Sequence, residues 1–245
     1  MVTPISVQPD VFYPSEDGEP LAETSVYVDA IIQTVVALRQ YLTGQSAIVL
    51  ADQFLYYAQG YPKLRVAPDV MVIFNVAPGA RDNYKIWEEG QVPRVIFEIT
   101  SEGTRAQDQG HKKILYEQLE VQEYWLFDPK GEWIPEQLQG YRLRNGLYES
   151  IADCRCEPLQ LRLAVEGNLI GFYREDTGEK LLAPDELIQT LQAAETQLAQ
   201  ERQRANQAEQ AQREAIPRLL AMGLTSEQIA AALGLPIETV YAIRE

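Results

Sequence analysis

The chain is poor in the residues that several common chemistries require. Among 245 residues there is one histidine, His111, and there are two cysteines, Cys154 and Cys156. A single imidazole excludes a two-histidine zinc motif and a His-Asn-His nuclease site within this chain. No G-x-S-x-G elbow accompanies it, so a Ser-His-Asp triad has no support. One residue apart on an expected strand, the two cysteines are badly placed to pair with each other, and a lone C-x-C makes no zinc site. They read as reduced cytosolic thiols. Neither G-x-x-x-x-G-K nor G-x-G-x-x-G occurs, which disfavours nucleotide hydrolysis and a dinucleotide cofactor. No apolar run approaches the roughly 20 residues that span a bilayer. The start MVTPISVQPDVF has neither a basic region nor an apolar one, so secretion is not signalled and a soluble, cytoplasmic protein is expected.

Basic charge is scarce as well. A net charge of −15 argues against a broad electrostatic grip on nucleic acid. The deficit is uneven: residues 1–60 hold seven acids against one base, whereas residues 61–113 hold eight bases against seven acids. The stretch that escapes the acidic bias also contains the candidate site.

What is present is ordinary globular composition, 46% hydrophobic and 23% charged. Residues 24–42 read as a helix capped by Thr24 or Ser25, with Val28, Ile31, Ile32, Val35, Leu38 and Leu42 on one face. Short β-type runs follow: AIVL at 47–50, FLYYAQ at 54–59, VMVIF at 70–74 and VIFEIT at 95–100, punctuated by glycines and prolines. A helix is expected over 107–119, then the strand EYWLFD at 123–128, and antiparallel hairpins between 141 and 173. This order predicts a mixed α/β domain over residues 1–183. From Pro184 the composition changes. Residues 185–215 hold no glycine, proline or aromatic, and Leu187, Leu191, Ala194 and Leu198 space a thin seam. A long helix over 184–215 is expected, a weak coiled coil or a solvated spacer. Residues 216–245 read as a small helical tail with helix-turn-helix spacing, its first helix capped by Ser226. The second, IETVYAIRE, suits phosphate contacts badly, so a packing or oligomerisation module is the expectation for the tail.

Two carboxylates stand out by position. Asp69 follows Pro68 at the head of VMVIF, and Glu98 lies inside VIFEIT, on the face shared with Ile96 and Thr100. Both strands are apolar enough to be buried on both faces. An ionised carboxylate there costs several kcal/mol unless it is paired or binds a metal. A divalent cation shared with Asp69 would compensate it, and all-oxygen ligation suits Mg²⁺ or Mn²⁺. The compensating charge could instead be a lysine. Lys112 and Lys113 lie on the next helix, where Asp108, Lys112, Leu115 or Tyr116, and Leu119 share a face. Two acids and a lysine around one divalent ion are a known solution for phosphodiester hydrolysis. Thr100, Ser101 and Thr104 read as turn and cap residues, Tyr116 and Tyr124 as core-edge residues, Trp125 as core, and Asp128 before Pro129 as a strand-ending turn residue.

VAPDV at 66–70, FEITSEGTRAQDQGHKKILYEQL at 97–119 and EYWLFDP at 123–129 resemble, in combination, the Uma-type ("Uma two") family of restriction endonucleases within the PD-(D/E)XK nuclease superfamily. GEPLAETSVYVDAI at 18–31 resembles a common subgroup of it, and the likeness covers roughly residues 12–175. It implies a mixed β-sheet core flanked by helices, with Asp69 and Glu98 as metal ligands, Lys112 as the catalytic lysine and Glu23 as a helix-borne acid at the site's edge. The chain departs from the usual pattern at Thr100, where a lysine is customary. Family members of this type supply the lysine from the following helix, where Lys112 sits. The resulting expectation is a Mg²⁺- or Mn²⁺-dependent DNA endonuclease that self-associates through its C-terminal helix. The rivals are a non-catalytic binding protein that keeps the fold and an oligomeric scaffold whose tail is the functional part.

Overall fold

The computed structural model describes residues 11–16 and 24–244 and divides into two compact units, Met1–Pro184 and Asp185–Glu245. The first is built on a six-stranded mixed sheet. Its strands are β1 (Ala47–Ala51), β4 (Val70–Phe74), β6 (Val95–Ile99), β7 (Glu123–Phe127), β8 (Leu138–Arg144) and β9 (Leu147–Ile151), neighbours in that order. All neighbours are antiparallel except β6 and β7. That parallel pair needs a crossover, and the helical segment between Thr104 and Gln118 provides it. β4, β6 and β7 are the apolar runs of the sequence, and β6 and β7 are buried along their whole length.

Strand alternation divides this core into two layers. Val70, Val72, Val95, Phe97, Ile99, Trp125 and Phe127 face α1 (Ser25–Tyr41) and a small sheet of β10 (Arg155–Cys156), β11 (Leu161–Glu166) and β12 (Leu169–Arg174). Phe97 meets Phe172 of β12 edge to face, 5.8 Å between centroids, a geometry worth about 0.5–1.5 kcal/mol beyond its area. Met71, Ile73, Ile96, Tyr124 and Leu126 face the crossover helix and a second small sheet, β3 (Arg65–Val66), β2 (Leu55–Tyr56) and β5 (Tyr84–Lys85). A four-residue helix, α2 (Ile86–Glu89), follows β5. Gly140 on β8 is required by contact: a Cβ there would lie 2.5 Å from the Trp125 ring.

Four local expectations are corrected. First, α1 buries Val35 and Leu38 of the expected apolar face together with Tyr27, Ala30, Gln33, Thr34 and Ala37, while Val28 and Ile32 of that face are 38% and 50% exposed. The helix packs against β1 and β12 together, which favours small residues at the contact. Gln33 donates its amide to the Ile170 carbonyl at 2.9 Å. Second, of FLYYAQ only Leu55–Tyr56 is strand. Third, the crossover helix is not uniform. Gln107–Lys112 forms a π-helical turn before α3 (Lys113–Gln118), and Tyr116 takes the inner position while Leu115 and Leu119 stay half-buried. Widened turns of this kind concentrate at functional sites. Fourth, the two cysteines do not share a strand: Cys156 is buried on β10, Cys154 is half-buried just before it, and both are free as expected.

The second unit begins in α4 (Pro184–Ala221), which runs past the expected end at 215 and carries Pro217 within it. Ile216, Leu219 and Leu220 explain the extension. They pack with Ile229, Ala230 and Val240 of α5 (Ser226–Leu233) and α6 (Ile237–Arg244), so the last turns of α4 are anchored by the tail's own core. The cap of α5 is Thr225, one residue before Ser226. Its hydroxyl accepts from Gln228 N at 3.3 Å, and the Gln228 side chain accepts from Thr225 N at 3.0 Å. Gly234 ends the helix in the left-handed region. Among the described residues, no helix is long and apolar enough to cross a membrane.

Candidate active site

Strand register sets the site. Val70 opposes Phe97, so one step further Asp69 stands opposite Glu98 on the neighbouring antiparallel strand, on the layer of Met71 and Ile96. Directly opposite residues share a face, with Cβ atoms about 4.5–5.5 Å apart. Asp69 N lies 3.5 Å from Glu98 Oε2, and Asp69 Oδ2 accepts from Ile99 N at 2.6 Å. The backbone of β6 thus aims the Asp69 carboxylate across the strand end. Glu98 is fully buried, and Asp69 is half-buried.

The crossover helix closes the hollow from above. Lys112 Nζ donates to Glu98 Oε2 at 2.9 Å, and Tyr116 Oη donates to Glu98 Oε1 at 2.7 Å. Lys112 Nζ also lies 3.0 Å from Asp108 Oδ1, an ion pair without hydrogen-bond geometry. Asp108 is itself fully buried, and its backbone carbonyl accepts from Tyr124 Oη at 3.0 Å, which ties the π-turn to β7. Lys113 points elsewhere: its ammonium sits 3.7 Å from the centroid of the Tyr141 ring. Of the two lysines the sequence offers, Lys112 is the one among the acids.

Three carboxylates therefore surround one ammonium. Burial raises the Asp69 pKa well above the ordinary carboxylate range, and the Glu98 charge adds to the rise against Lys112 and the Ile99 N–H. Burial likewise raises that of Glu98, opposed by Lys112 and Tyr116. Burial works against the Lys112 charge, but Glu98, Asp108 and Asp69 outweigh it and hold the lysine protonated. With its acids ionised, the hollow would carry more negative charge than Lys112 can balance. Both carboxylate oxygens of Asp108 in it, and Thr100 Oγ1 two residues along the chain from Glu98, are buried without a hydrogen bond among the described residues. A divalent cation fits this donor set. Among the described residues, no group of three His, Cys, Asp or Glu side chains is spaced to hold a metal unaided. The fit is therefore to an ion such as Mg²⁺, which takes one or two carboxylates and completes its shell with water and phosphate oxygens.

Of the residues predicted from sequence, Asp69, Glu98 and Lys112 come together, and Glu23 lies outside the described residues. Thr100 occupies the usual lysine position on the same layer, buried. Asp128 organises the turn after β7, accepting from the backbone N–H groups of Lys130, Gly131, Trp133 and Ile134. Trp125 is core, its indole donating to the buried Glu123. Ser101 N and Oγ contact Thr104 Oγ1 in the turn before the crossover helix. Two members of the site were not read as such from sequence: Asp108 had no role assigned, and Tyr116, expected at the core edge, is fully buried and bonded to Glu98. The Asp108–Lys112–Tyr116 spacing of four was the available signal, since it stacks all three on one helical face.

A family model described as "Uma2: Putative restriction endonuclease" matches residues 17–169. No curated protein matches the chain. A solved structure from Anabaena variabilis, described as a "putative nuclease belonging to DUF820", is similar at 14% identity with a TM-score of 0.39, covering 58% of this chain and 77% of that one. The segment matched by the family model is more than half of the chain and holds Asp69, Glu98 and Lys112 with the elements that position them, and the chain belongs to the Uma2 family.

Proposed function

We propose that this protein is a divalent-metal-dependent endonuclease that hydrolyses DNA phosphodiester bonds, with Asp69, Glu98 and Lys112 at its centre. The observation that carries the reading is the excess of buried, hydrogen-bond-poor acid oxygen around a single lysine, next to a half-buried Asp69. Asp69 and Glu98 would hold the cation, Mg²⁺ or Mn²⁺. When bound, it supplies positive charge to the phosphoryl oxygens and makes water more acidic. The chain's own residues do the rest. Ile99 N–H fixes the Asp69 carboxylate, and Tyr116 fixes the plane of Glu98. Lys112, kept protonated, donates hydrogen bonds: it orients the attacking water and offsets charge developing on the phosphate, and it is no general base. Asp108 positions Lys112 from the helix side.

A second reading, a binding protein that retains the nuclease fold, is favoured by one observation. Both Glu98 oxygens already have protein donors, Lys112 and Tyr116, and Thr100 replaces the customary lysine. Folded full-length protein incubated with plasmid and linear DNA separates the two. Cleavage is expected with Mg²⁺ or Mn²⁺ and none with chelator. No cation-dependent cleavage of any DNA or RNA form would leave the binding reading in its place.

Self-association through α4 belongs to the same proposal. Ile188, Leu191 and Leu198 are 53%, 56% and 51% exposed along this helix, a thin apolar seam that a second copy would cover. Truncation after residue 183 should leave a folded domain of lower oligomeric state, read by sedimentation. A truncated protein in the same oligomeric state as the full chain would reject the seam.

A further inference from the structure

The strand pairings gather the C-terminal ends of β1, β6 and β7 and the N-terminal end of β4 at one edge of the main sheet. Asp69 and Glu98 lie there, and three excursions leave from it: the β2–β3 hairpin, the turn over 101–106 and the loop over 129–137. Each carries basic side chains with no carboxylate partner among the described residues. On the hairpin, Arg65 stacks over Phe54 at 4.0 Å, and Lys63 is exposed. In the turn, exposed Arg105 stacks over Trp133 at 4.1 Å. In the loop, exposed Lys130 lies 5.6 Å from the Tyr27 ring. The far edge is different, because three of its arginines are paired with acids: Arg142 with Glu123, Arg144 with Glu157 and Arg155 with Glu175.

An aromatic ring holds a guanidinium in place without cancelling its charge, and it leaves the N–H edge open for phosphate. Tyr61, 65% exposed at the end of the hairpin, presents a ring on which a base can stack. Glu102, Glu132 and Glu136 belong to the same turn and loop and keep the local field modest, so contact with a polyanion there has to be local and specific in place.

We propose that this edge is a track for a nucleic-acid backbone, with Lys63 and Arg65 contacting phosphates on one side of the acid hollow and Arg105 and Lys130 on the other. The proposal rests on the nuclease reading and adds how the substrate is gripped by so acidic a chain. Four phosphate contacts to a duplex correspond to a slope of log affinity against log salt of about −3 to −4.

The test is fluorescence anisotropy of the full chain with a labelled DNA duplex of about 20 base pairs in chelator, across a salt series. The double variant Lys63→Glu, Arg105→Gln should bind about tenfold or more weakly, whatever the DNA sequence, with a slope shallower by about 2. Lys63 is exposed and makes no ion pair among the described residues, so Lys63→Glu alone, shallower by about 1, guards against a folding artefact. Arg144→Gln, at the far edge, should bind as the wild type does. Wild-type affinity and slope in the double variant, or an equal loss in Arg144→Gln, would overturn the track while wild-type cleavage leaves the nuclease reading standing. A wild-type protein that neither binds nor cleaves DNA rejects both.

Discussion

Asp69→Ala and Glu98→Ala should each abolish cleavage and remove Mn²⁺ binding by calorimetry, with no residual activity at high metal concentration. The two carboxylates stand opposite each other on adjacent strands at the mouth of a buried hollow, so each supplies a large share of the available ligand charge. Because removing a carboxylate can also disturb the sheet, the isosteric Asp69→Asn and Glu98→Gln are the sharper variants. Without metal, Asp69→Asn should melt at a temperature no lower than the wild type, since like charges facing one another in a poorly solvated hollow repel. Adding Mn²⁺ at about 100 times its dissociation constant should stabilise the wild type by about 2.7 kcal/mol. The same addition should leave Asp69→Asn unmoved. A variant that still binds the ion and cleaves at the wild-type rate would remove Asp69 from the site.

Lys112→Ala should lower the rate of cleavage by about 100-fold or more, the scale of losing one preorganised donor at the reacting phosphate. Metal affinity should not fall, because the lysine is not a ligand. Lys113→Ala should be mild, for its ammonium covers the Tyr141 ring and makes no ion pair among the described residues. The interpretation turns on stability. Lys112 is the ion-pair partner of Glu98 and of Asp108, both fully buried, and stripping a partner from a buried charge costs about 3–5 kcal/mol. The apo variant should therefore melt well below the wild type, and Mn²⁺ should recover much of that loss by supplying charge to the same acids. Cleavage that stays low in folded, metal-loaded Lys112→Ala assigns the lysine to the chemical step. Cleavage at the wild-type rate would dismiss it, and a loss restored fully once the metal has refolded the site would make it a structural residue.

Strand alternation and apolar runs were enough, without coordinates, to place β4, β6 and β7 in the interior and to mark Glu98 as a carboxylate needing a partner. Both follow from local rules: side chains alternate across a strand, and a charge inside an apolar one is costly whatever surrounds it. The compositional break at Pro184 foretold a long helix for the same reason, since helix propensity is summed over neighbours in the chain. The layer that each helix faces was not local. Val28 and Ile32 fit an apolar stripe on α1 as well as any residues do, yet α1 lies against two sheets and turns its alanines and Gln33 inward. Spacing favoured Lys112 over Lys113 by the face it shares with Asp108 but did not fix where that face points, because adjacent helical residues differ by about 100° and the zero of that angle is set by packing. The π-turn, anchored by Tyr124 to the Asp108 carbonyl, set it, and in doing so brought Asp108 and Tyr116 to Glu98. Periodicity determines which residues can share a face. Only the tertiary structure decides what that face meets, because the meeting joins strands and helices whose separation in sequence carries no spatial information.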